Sequence, residues 1–184
     1  MIEFSKEEII EITIAVLVLT LIFSFRGFYF DIDLIPISFF SVSIAYLLHE
    51  LAHKFVAIKL GYSARFRLYL PSTLLSIFLA FTGVKVAALG WVEILPFKFK
   101  SWLYRRLEFS LEDMGKIALS GPLTNIFLAS VFLIFNLHFL KDVNAWMAFF
   151  NLLPVPPLDG SKVVSWNFGY WAFFFIFSIF LLII

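Results

Sequence analysis

The stretch IPISFFSVSIAYLLHELAHKFVAI, residues 35–58, decides how the rest of the chain is read. Its length suits a helix that crosses a bilayer, which needs about 20 mostly apolar residues. Its second half nevertheless carries His49, Glu50, His53 and Lys54. A charged side chain at the centre of such a helix costs about 2.5–3.5 kcal/mol on insertion scales, so those that persist have a partner and a task. The order is His-Glu-x-x-His. On a helix, residues 49 and 53 lie one turn apart on one face, where two imidazoles can share one metal ion with Glu50 beside it. A lone histidine in an apolar helix is commonly a hydrogen-bonded packing residue; two at this spacing, with the glutamate between them, point to metal. A catalytic zinc takes three protein ligands, so a third is expected from elsewhere in the chain.

Composition sets the surroundings. Of 184 residues 62% are hydrophobic and 26 are Phe, and the mean hydropathy is +0.98. These values predict an all-α polytopic membrane protein of roughly five to six transmembrane helices, with no separate water-soluble domain. A net charge of +1 with no basic block argues against a nucleic-acid partner. The absence of cysteine excludes disulfides and thiolate ligands, so any metal is held by histidine and carboxylate. The first residues lack a basic region and small-residue cleavage site, and Met1 is expected to stay attached.

Outward from the central stretch, residues 9–25 form a first span, with Ser5 placed to cap its helix and Glu7 and Glu8 in the first turn. Residues 62–70 alternate polar and apolar from Ala64 onward, as a strand does; Pro71 and a short apolar run follow, and residues 84–94 again look strand-like. If residues 72–94 crossed the membrane, Lys and Arg would divide evenly between its two sides. If they dip in and return as a re-entrant β-hairpin, only Arg26 and Lys141 lie outside, and the other basic residues, Lys85 apart, gather on one face. The positive-inside rule selects the second arrangement and a cytoplasmic N-terminus. The basic, aromatic run at 98–106 then reads as a cytoplasmic interfacial segment.

Ser110 and Asp113 resemble a capping box ahead of a helix that passes through Pro122. Gly115, Ser120 and Gly121 are small enough for close helix approach, and Asn125 either hydrogen-bonds a neighbouring helix or helps bind substrate. Residues 144–158 descend to three prolines within four residues, which end any regular helix and set Asp159 at the break. Residues 166–184 are the last span. In the re-entrant topology residues 35–58 run inward, and His49 lies about 21 Å along them, near the inner edge of a 30 Å core. Residues 144–158 run the same way and deliver Asp159 to that depth, so His49, His53 and Asp159 can close around one zinc.

Three motifs occur in order: HELAH at 49–53, GPLTN at 121–125, and NLLP at 151–154 leading to LDG at 158–160. Together they resemble the site-2 protease family of intramembrane zinc metalloproteases, in the minimal prokaryotic form without PDZ or CBS domains. The resemblance covers residues 36–162 and implies one transmembrane protease domain over 1–184, with its core at 35–162. It implies one Zn2+ per chain on His49, His53 and Asp159, Glu50 as general base, and Asn151 beside the active site, orienting substrate. The implied partners are the lipid bilayer and a transmembrane-helix protein, cleaved near the cytoplasmic face in regulated intramembrane proteolysis. An edge of the hairpin, at 64–70 or 84–94, would take up the unwound substrate by strand addition. The competing readings are a metal or proton transporter, a catalytically silent relative that binds membrane proteins, and a zinc hydrolase of lipids.

Overall fold

A computed structural model of the protein describes residues 4–95 and 110–184. Helix α1 (Lys6–Phe23) opens behind Ser5, whose Oγ accepts the Glu8 N–H at 3.2 Å. A short ribbon, β1 (Phe25–Arg26) against β2 (Tyr29–Phe30), turns the chain into α2 (Ile35–Leu60). Pro36 occupies the first turn of α2, where a missing N–H costs nothing. Gly61 ends the helix at φ 94°, in the left-handed region that glycine enters without strain.

Strand β3 (Ser63–Leu68) pairs antiparallel with β4 (Gly90–Leu95), Phe66 opposite Val92, and α3 (Leu70–Ala80) lies between them in the chain. Then come α4 (Leu111–Ile134), capped by Ser110 Oγ on the Asp113 N–H at 2.9 Å, and α5 (His138–Asn151). Helices α6 (Asp159–Trp166) and α7 (Phe168–Ile183) close the chain. One apolar cluster joins Leu19 of α1, Val42 and Ala45 of α2, Phe66 of β3 and Met147 of α5. A second joins Ile126 and Ala129 of α4 to Ala148 of α5, Val163 of α6 and Leu181 of α7. Between the two clusters α2 packs directly on α4.

The expectation of an all-α protein with roughly five to six transmembrane helices is corrected. Among the described residues only two helical stretches, Ile32–Leu60 and Leu111–Ile134, are long and apolar enough to cross a membrane, and two small antiparallel sheets accompany them. The physical reason is length and charge. Helix α1 has 18 residues but spends its first two turns on Lys6, Glu7, Glu8 and Glu11. Helices α5 and α7, of 14 and 16 residues, reach only about 21 and 24 Å against a 30 Å core, and α3, at 11 residues, is shorter still. Helix α5 also begins at His138, earlier than residue 144, and stops at Asn151 before the prolines. The interfacial segment expected at 98–106 lies outside the described residues.

The two edges of the β3–β4 pair differ. The Phe66 N–H donates to Glu8 Oε1 and the Leu68 N–H to Glu11 Oε2, each at 3.0 Å, so carboxylates from α1 cover the outer edge of β3. Backbone groups alternate sides along an antiparallel strand. With 66 and 68 facing away from β4, the register makes Gly90, Val92 and Ile94 face away from β3.

Candidate metal centre

Helix α2 carries His49 and His53 one turn apart, both buried, with their Nε2 atoms 2.9 Å from each other. Asp159, the first residue of α6, brings Oδ2 to 3.0 Å from His53 Nε2 and 3.4 Å from His49 Nε2. Gly160 permits this placement. A Cβ there would strike the backbone carbonyls of Leu152 and Leu153, so only glycine lets α6 start against the end of α5. Gly121 of α4 does the same on the opposite wall, where a Cβ would collide with Nε2 of both histidines.

The proton positions follow from the partners. His53 Nδ1 lies 2.7 Å from the Ile117 carbonyl oxygen, which can only accept. His49 Nδ1 lies 2.5 Å from Asn125 Oδ1, and the Asn125 amide is oriented by its Nδ2 donating to the Ala45 carbonyl at 2.9 Å. Each imidazole therefore carries a proton on Nδ1, and in its neutral form turns a bare Nε2 lone pair toward Asp159. This outer bonding is what metal-ligating histidines use to fix their tautomer.

With both imidazoles neutral, three acceptor atoms face one another and make a site for a shared cation. The residues fit zinc. Zn–N and Zn–O lengths of about 2.0–2.1 Å set tetrahedral ligands about 3.3 Å apart, close to the separations of 2.9, 3.0 and 3.4 Å. Among the described residues, His49, His53 and Asp159 form the group that can hold a metal ion.

Beside them lies a cavity of about 30 Å³, room for a water or two. Its walls include Glu50, Asn151 and Leu158, with Gly90 and Val92 of β4. Glu50 is buried, and its Oε2 has no hydrogen-bond partner among the described residues. Asn151 is the last residue of α5, and its Nδ2 donates to the Met147 carbonyl at 3.0 Å. Asn125 is fully buried behind His49 and does not line this cavity. A second cavity of about 150 Å³, walled by Leu47, Leu51, Phe66 and Val92, also reaches Glu50.

Several contributors escape a sequence reading. The Ile117 carbonyl carries no side-chain signal, and Ser120, whose Oγ is 3.4 Å from His53 Nδ1, reads only as a small residue. Lys162, with Nζ 3.6 Å from Asp159 Oδ1, was detectable from its i,i+3 spacing on α6.

The chain is 38% identical over 182 residues to a Methanocaldococcus jannaschii protein named "Putative zinc metalloprotease MJ0611", covering 92% of this chain and 89% of that one. It is 29% identical over 165 residues to a Bacillus subtilis protein named "Putative zinc metalloprotease YwhC", covering 76% and 73%. No family model and no solved structure matches. With that identity over nearly the whole length of the archaeal protein, and a His-His-Asp group fitted to the metal, the chain belongs to this family of zinc metalloproteases and its cofactor is zinc.

Proposed function

We propose that this metalloprotease is an intramembrane endopeptidase of the site-2 protease type, cutting a peptide bond within a transmembrane helix of its protein substrate. The observation that carries the reading is the location of His49, Glu50 and His53 within Ile32–Leu60, a helical stretch apolar and long enough to cross the bilayer. A site built on such a helix meets its substrate at membrane depth. The bias of Lys and Arg supports a cytoplasmic N-terminus and cleavage near the cytoplasmic face.

When bound, zinc supplies a Lewis acid that polarises the scissile carbonyl and lowers the pKa of water towards about 7. Glu50, buried and with a free Oε2, takes the proton of the attacking water and passes it to the leaving nitrogen, so the peptide bond is exchanged for a carboxyl group and an amine. Asn151 spends one Nδ2 hydrogen on Met147 and keeps the other for the developing oxyanion. The unwound substrate adds along β4, whose Gly90 and Val92 backbone groups face away from β3 and whose residues wall the site cavity. The outer edge of β3 is closed to this by Glu8 and Glu11. The second cavity, walled mainly by Phe4, Ile12, Leu47, Leu51, Phe66 and Val92 with the Glu8–Lys54 pair and Glu50 at its margins, accepts an aliphatic or aromatic substrate side chain.

The test is to purify the protein in detergent, measure its metal, and offer a generic single-span protein and a lipid ester to wild type and Glu50→Gln. The expected result is cleavage of the single-span protein by wild type alone, equal zinc in both, and an untouched ester. Cleavage retained by Glu50→Gln, or hydrolysis of the ester alone, contradicts the proposal.

A further inference from the structure

We propose that Asn144 of α5 is a positioning residue that fixes the tautomer of His49 through Asn125, and so sets the affinity for zinc. The inference rests on His49 being a zinc ligand. Asn144 is fully buried and hydrogen-bonds neither histidine. Its Nδ2 donates to the Leu140 carbonyl at 2.8 Å, one turn earlier, and this orients the amide. Its Oδ1 consequently faces α4 and accepts from Asn125 Nδ2 at 3.1 Å.

An asparagine amide has nearly the same shape after a half-turn, so packing alone does not choose between its two orientations. Hydrogen bonds choose. Asn125 Nδ2 has two hydrogens, one for the Ala45 carbonyl at 2.9 Å and one for Asn144, which leaves Oδ1 for His49 Nδ1. After a flip, Asn125 would set its oxygen against two acceptors and its NH₂ against His49 Nδ1. The imidazole would then carry its proton on Nε2, the atom that must be bare to hold zinc. Asn144 contributes one of the two contacts that forbid this state. Ala45, in the helix of His49 itself, contributes the other.

The geometry fixes what each variant does. Asn144→Leu removes the acceptor at similar size and leaves a buried Asn125 N–H without a partner. Asn144→Asp keeps an acceptor oxygen toward Asn125 and loses the donor to Leu140. Outer partners of metal-bound histidines commonly change affinity by 10–100-fold, and the remaining Ala45 contact places this one at the lower end.

The experiment uses the full chain in detergent, stripped of metal, with zinc titrated against a chelator of known affinity and cobalt(II) added separately for its d–d absorption. Expected are zinc binding weakened about tenfold in Asn144→Leu with a shifted cobalt spectrum, and recovery to within about threefold in Asn144→Asp. A purely structural role would lower the thermal stability of both variants and leave the zinc affinity of the folded protein at the wild-type value. Wild-type affinity in Asn144→Leu, or equal losses in both variants, overturns the proposal. Should Asn144→Leu fail to fold, Asn144→Ala gives the same comparison. His49→Ala separates the two levels: if it too binds zinc as tightly as wild type, the ligand assignment itself is wrong and this inference falls with it.

Discussion

Lys54 Nζ lies 2.8 Å from each carboxylate oxygen of Glu8, and both side chains are buried. Lys54 follows His53 directly, so the pair pins the metal-binding turn of α2 to the start of α1. Glu8 Oε1 also takes the Phe66 N–H, which joins β3 to the same anchor. Removing one partner of a buried pair strands the other charge. Lys54→Met is expected to cost about 3–5 kcal/mol. Glu8→Gln in the Lys54→Met background removes the stranded charge, retains an acceptor for Phe66, and should recover much of that loss. Unfolding of the single and double variants in detergent checks both statements.

Gly121 is the wall of α4 against which the two imidazoles rest. A methyl group there meets Nε2 of both, and the ring positions that zinc requires are lost. Gly121→Ala should therefore reduce zinc per chain well below one while helix content by circular dichroism stays at the wild-type level. Full zinc occupancy in this variant would mean that the rings move aside at little cost.

The outward face of β4 gives a prediction about substrate. Val92→Pro deletes one N–H on the side away from Phe66, so the pairing with β3 loses no bond. A backbone hydrogen bond contributes about 0.5–1.5 kcal/mol, so kcat/KM should fall roughly threefold to tenfold. Val92→Ala, which keeps the N–H, is the control. Equal losses in the two variants would point to the side chain and away from strand addition.

The metal centre was legible where a local period or a sharp chain break carried it. Residues 49 and 53 follow from helical spacing, and Asp159 from the proline-rich break that ends one segment and starts another. Ser5, Gly61 and Ser110 mark helix ends because their side chains, or the lack of one, answer unpaired backbone groups. What was hidden depends on contacts between distant residues. Glu8 reads as a helix-dipole charge until Lys54, far along the chain, is found against it. Gly121 reads as a contact between helices, yet what approaches it is imidazole. Asn125 left two roles open because its direction depends on Ala45 and Asn144. The span count failed for a different reason. Mean hydropathy adds apolar residues without regard to helix length, and several of the apolar helices here are too short to cross.

The ligand set is tested most directly by an anomalous-difference map at the zinc edge of the purified, zinc-loaded protein. One peak per chain is expected, within about 2.0–2.2 Å of His49 Nε2, His53 Nε2 and an Asp159 carboxylate oxygen. A peak bound elsewhere, or one that leaves the Asp159 carboxylate unligated, would contradict that ligand set.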